Sequence, residues 1–239
     1  MSGFMNRVSR KVAMDVFLML STWVAWCLPF YIIFFIIAHF VPQVQIDLNF
    51  FDGTILSAKI YMLVEGIILA LSLPVAYIRN GVTRKNMFKG VFIGMSCMVG
   101  ALSIVVQILY GLTIWIFGNA FGQSNDLSQI YHNQFLTLLL IFFLLCVIYF
   151  AIGWLIGLAF SRYGFFPGMF SIALSIVLVG LSEFFWNSYM KLPRQLDLLM
   201  RWLTDTQILF VTGLVGSVAI LVLLIVLLRV IVGRMPIKP

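Results

Sequence analysis

The stretch "QFLTLLLIFFLLCVIYFAIGWLIGLAF", residues 134–160, contains no Asp, Glu, Lys or Arg. A helix rises about 1.5 Å per residue, so roughly 20 apolar residues suffice to cross the hydrocarbon of a bilayer. This run is longer than that, and it predicts a membrane span. The rest of the chain follows the same pattern. Of 239 residues, 63% are hydrophobic and only 10% charged, with a mean hydropathy of +1.11. A soluble domain carries about 25% charged residues. We therefore expect an all-α membrane protein, one transmembrane domain over residues 1–239. Its six spans fall at about 14–41, 55–78, 90–117, 134–160, 166–186 and 207–232. No polar segment is long enough to fold as a soluble domain, so soluble machinery is expected on another chain. The basic start "MSGFMNRVSRKVAMDVF" precedes an apolar run too long for a signal peptide, with no small-residue cleavage site after it. It reads as a retained first span, which carries "WVAWCLPFYIIFFIIAHF" with Pro29 in its middle.

The net charge of +7 is informative only through its distribution, and it is no sign of a nucleic-acid partner. Arg7, Arg10, Lys11, Arg79, Arg84, Lys85, Lys89, Arg162, Arg229, Arg234 and Lys238 fall on one side of the predicted spans. Lys59, Lys191, Arg194 and Arg201 fall on the other. The excess of Lys and Arg marks the cytoplasmic side, so both termini are expected inside, in agreement with an even number of spans. Among the outer connections, "NSYMKLPRQLDLLMRWLTDT" stands apart. Leu196, Leu199, Met200 and Leu203 recur there at helical spacing after Pro193, which predicts an amphipathic outer helix between spans five and six.

Glu65 reads as the one acid well inside a span, where an ionisable group is costly and usually faces the bundle interior or water. Ser57, Tyr61, Glu65, Ser72 and Ala76 share one face of span two. Ser96, Gly100, Ser103, Gln107 and Gly111 share one face of span three. These stripes suit either a translocation path, with Tyr61, Glu65, Ser72, Ser103 and Gln107 along it, or close helix packing. Gly90 with Gly94, Gly153 with Gly157, and Gly213 with Gly216 read as packing glycines. Asp15 lies four residues after Lys11, the spacing of a local ion pair. Cys27, Cys97 and Cys146 lie in apolar runs without pairing or ligand spacing, and His39 and His132 are isolated, so no metal site is expected. There is no nucleophile elbow, no His-Glu-x-x-His pair and no phosphate loop. The chain is not expected to be an enzyme or to use ATP itself.

The link "YIRNGVTRKNMFKG", residues 77–90, holds a large share of the positive charge. Asn80-Gly81 is a turn dipeptide, and Thr83 is placed to cap a short helix over 84–90. On that helix Met87 and Phe88 would touch membrane or protein, while Arg84, Lys85 and Lys89 would be exposed. Gly81, Val82, Thr83, Arg84, Lys85, Met87 and Phe88 match a segment after the second of six spans in bacterial ATP-binding-cassette exporter permeases. The chain resembles the small six-span class of these permeases, related to the ABCG-type transporters, and its layout of spans and outer helix is similar to theirs. The resemblance implies that Gly81, Thr83, Arg84, Lys85, Met87, Phe88 and Lys89 form a cytoplasmic coupling helix that inserts into an ATPase subunit. It also implies a second permease chain, identical or homologous, around a central path in the bacterial cytoplasmic membrane. ATP and magnesium would lie on the ATPase partner, with no cofactor on this chain. The cargo implied is an amphipathic peptide or lipid, moved outward, as in antimicrobial-peptide export and resistance. The residues alone also admit a six-span substrate-binding component of an uptake system, or a membrane accessory protein.

Overall fold

The computed structural model describes residues 7–40, 50–117, 135–186 and 206–233. They form six helices: α1 Arg7–Phe40, α2 Phe50–Arg79, α3 Arg84–Phe117, α4 Phe135–Tyr163, α5 Phe165–Trp186 and α6 Thr206–Gly233. No strand occurs among the described residues. All six helices are long and apolar enough to cross a membrane, as the hydropathy predicts. Helices satisfy their own backbone polar groups, which is what a bilayer interior demands. The outer surface is as apolar as the sequence: Trp26, Phe30, Trp115, Phe166 and Phe170 all stand exposed. α1 and α3 have 34 residues each, about 51 Å of helix against about 30 Å of hydrocarbon. Such helices must tilt or project beyond the bilayer.

One expected element reads differently. The short helix expected over 84–90 is no separate element, because those residues are the opening turns of α3. After Thr83 nothing breaks the helix, and Gly90 is held in register by its packing on α1. The amphipathic outer helix expected between spans five and six lies outside the described residues.

Contacts divide the helices into two units. The first takes the described residues of Met1–Ala58 and Pro74–Leu139, and the second those of Lys59–Leu73 and Leu140–Pro239. In the first unit α1 lies along α3. A Cβ on Gly90 would come within 2.7 Å of Val12 and 2.9 Å of the Ser9 carbonyl, and one on Gly94 would strike the Ala13 backbone. Buried Val12, Val16, Leu20, Met87, Val91 and Met95 fill that seam. Further along, the Tyr31 hydroxyl donates to the Phe50 carbonyl at 3.4 Å, and Phe51 meets the Tyr110 ring at 5.3 Å.

In the second unit the middle of α2 lies against α4. A Cβ on Gly66 would meet the Phe150 carbonyl, one on Gly153 the Leu63 carbonyl, and one on Gly157 the Ala70 Cβ at 2.5 Å. These contacts pair Leu63 with Gly153 and Ile67 with Gly157, so the two helices run parallel. α4 turns into α5 through Gly164 alone, at φ +83°, and Gly168 packs under the Phe160 ring. α5 and α6 are pinned by Trp186, whose indole N–H donates to Ser217 Oγ at 2.8 Å and whose ring covers Gly213. Arg162 donates to the Ile231 carbonyl, which satisfies an orphan acceptor in the last turn of α6.

Candidate functional site

The α2–α3 link is a compact double cap. The Tyr77 carbonyl accepts from Val82 N and the Ile78 carbonyl from Gly81 N, both at 3.0 Å. With Gly81 at φ +76°, this is the paired bonding that closes a helix on a left-handed residue. Thr83 then starts α3: its Oγ1 accepts from Asn86 N at 3.4 Å, the reach of an N-cap. Gly81, Thr83, Arg84, Lys85, Met87, Phe88 and Lys89 are thus brought together in one corner, but they do not share one surface. Gly81, Thr83, Lys85 and Lys89 are exposed, Arg84 and Phe88 are half-buried, and Met87 is fully buried. Phe88 stacks on Phe92 at 5.0 Å. Met87, expected to touch membrane or protein, touches protein: it is buried in the α1–α3 seam.

The parallel packing of α1 on α3 adds a feature that the link alone does not have. Ser9 and Val12 lie beside Gly90, so exposed Arg7, Arg10 and Lys11 stand at the same end of this unit as Arg79, Arg84, Lys85 and Lys89. The Tyr77 hydroxyl donates to Asp15 Oδ2 at 3.2 Å, tying the close of α2 to α1. Asp15 therefore finds its partner on another helix instead of at Lys11. The result is a basic end with a fixed turn at its edge.

The second unit holds a polar cluster that the sequence did not reveal. Lys59 Nζ lies 2.7 Å from Glu183 Oε1, and the Tyr149 hydroxyl donates to the same oxygen at 2.7 Å. Lys59 Nζ also lies 5.7 Å from the centroid of the Tyr149 ring, within cation–π range. Three helices, α2, α4 and α5, meet in this cluster. Lys59 was expected among the outer surface charges, yet it is buried. Glu183 likewise joins Glu65 as an acid inside a span. Tyr149 belongs here because α2 and α4 run parallel at close range, which sets Lys59 level with it.

The residues expected along a path divide between the units. Ser103 and Gln107, one turn apart on α3 in the first unit, are both buried. Ser103 donates to the Gly100 carbonyl at 2.8 Å. Gln107 Nε2 donates to the Phe135 carbonyl at 3.5 Å, while its Oε1 is buried with no hydrogen-bond partner. In the second unit Glu65 is buried about midway along α2 and is hydrogen-bonded by Tyr61 one turn earlier. Ser72 is exposed and donates to the Ile68 carbonyl of its own helix. Ser57 and Ala76 are exposed as well. The stripe expected to face protein along all of α2 is thus buried only around Glu65. No group of metal-ligating residues occurs among the described residues.

Comparison with family models, with curated proteins and with solved structures found no match.

Proposed function

We propose that the chain is the membrane subunit of an exporter powered by a separate ATPase. The ATPase docks on the basic end formed by α1 and the α2–α3 link. The observation that carries this reading is the corner itself. A rigid double-capped turn stands beside Arg79, Arg84, Lys85 and Lys89, with Arg7, Arg10 and Lys11 at the same end. A force-transmitting contact needs a turn that does not yield when pushed. The cap bonds and the burial of Met87 supply that stiffness, and the cations supply attraction to an acidic cleft. The resemblance of residues 81–88 to the coupling segment of six-span exporter permeases points the same way.

The orientation follows from charge. Lys59 is neutralised within the protein, so it drops out of the outer set, and the bias toward the side of the basic end grows. On that basis the basic end and both termini are cytoplasmic, where ATP is available. Two such permeases and two ATPases would form the working complex in a bacterial cytoplasmic membrane. ATP binding would close the ATPases and drive the link, while α1 and α3, locked by Gly90 and Gly94, would move with it. The aromatic outer face of α1 suits an amphipathic cargo, a peptide or a lipid.

The test is co-purification from native membranes. We expect an ATPase bearing a phosphate loop to accompany the wild-type chain. The charge reversal Arg84→Glu/Lys85→Glu should reduce its recovery by at least about tenfold while leaving the chain in the membrane. Undiminished recovery and ATP hydrolysis in the reversed variant would rule out docking at this corner.

A further inference from the structure

We propose that the Glu183 carboxylate is a binding point for the ammonium or guanidinium group of an amphipathic ligand, and that Lys59 fills this place when no ligand is bound. A carboxylate within a bilayer is tolerated only when compensated. Here the compensating cation comes from α2 on a long, flexible four-carbon stem. The two partners are unequally accessible: the Lys59 side chain is 8% exposed and that of Glu183 25%. A ligand approaching this site therefore meets the acid and not the base. Its cation would also gain what Lys59 has now, the face of the Tyr149 ring 5.7 Å from the ammonium. Tyr149 keeps its 2.7 Å bond to Oε1, so the carboxylate stays oriented during the exchange. A carboxylate accepts about four hydrogen bonds, so it can pass from one ammonium to another without losing every partner.

The same arrangement rejects anions. A sulfate or carboxylate head would meet the more exposed Glu183 carboxylate before the buried Lys59 ammonium. When a ligand ammonium replaces Lys59, the bond between α2 and α5 is released, which links occupancy of the site to loosening of these helices. The proposal deepens the transport reading and rests on it only in treating the ligand as cargo.

The experiment measures binding to the purified full chain in phosphatidylcholine nanodiscs, without any ATPase, so its outcome is separate from that of the docking test. The probe is an N-dansyl alkyldiamine with one free ammonium, and the control is a dansyl-labelled fatty acid. Phosphatidylcholine has no N–H, so the probe alone offers an ammonium donor. Glu183→Gln should weaken probe binding by about tenfold or more. Lys59→Met, or Lys59→Gln where the Met variant does not fold, should strengthen it by a similar factor, because the resident competitor is gone. Binding of the fatty acid should shift by less than about twofold in Glu183→Gln, since that head is not expected to bind there. Displacement of the probe by added phosphatidylethanolamine would assign the site to a lipid head group, and no displacement would assign it to a free amphiphile; either supports a cation site. An ion pair that only braces the fold predicts changes of the same sign in both single variants. Weaker or unchanged probe binding in the Lys59 variants, or wild-type binding in Glu183→Gln, would overturn the proposal.

Discussion

At the scale of single residues, two kinds of position carry the account: glycines that let helices touch, and charges that must be paired. Gly153 is the sharpest of the first kind, since any side chain there would strike the Leu63 carbonyl. A backbone carbonyl cannot rotate away as a side chain can. Gly153→Ala should therefore destabilise the protein by about 1–3 kcal/mol, read as a lower thermal midpoint in detergent. Gly180, where an added methyl would meet nothing within 4 Å, is the matched control. Gly180→Ala should be neutral or stabilising by up to about 1 kcal/mol, the ordinary helix preference of Ala over Gly. Equal losses at both positions would contradict the close α2–α4 approach. The packing role of Gly153 was legible from its spacing to Gly157, whereas that of Gly66 was not, because it has no partner glycine one turn away. The Lys59–Glu183 pair was hidden for a different reason. Its members are 124 residues apart, and hydropathy reads only along the chain. Lys59, judged by its own neighbours, reads as an outer charge.

At the scale of elements, the α2–α3 link is the part on which the docking proposal rests. The turn dipeptide and the Thr83 cap were legible because their chemistry is local: a left-handed glycine ends one helix, and a hydroxyl starts the next. The continuity of residues 84–90 with α3 was not legible. It depends on Gly90 and Gly94 nesting against α1, which is tertiary packing. Continuity matters mechanically, because a push on the turn passes directly into a helix of 34 residues instead of through a second joint. Gly81 holds φ +76° with open space around its Cα, so replacing it tests conformation and not crowding. Gly81→Ala should cost about 1–2 kcal/mol and reduce ATPase recovery with every cation still present. Full recovery and an unchanged thermal midpoint would show that the left-handed turn does not matter to docking.

At the scale of the whole molecule, the apolar count and the six long runs were enough to predict six helices able to cross a membrane, because a bilayer leaves the chain few alternatives. Which ends face the cytoplasm rests on charge distribution, and the docking reading depends on it. Only a basic end on the side of ATP can meet an ATPase. The measurement that tests this most directly is sidedness of labelling at Lys85, an exposed position of the link. Lys85→Cys would be placed in a chain whose Cys27, Cys97 and Cys146 are replaced by Ser or Ala, then exposed to a membrane-impermeant maleimide. Labelling is expected in inside-out vesicles and none in right-side-out vesicles. Labelling from the outer side alone would put the basic end away from ATP and contradict the central claim.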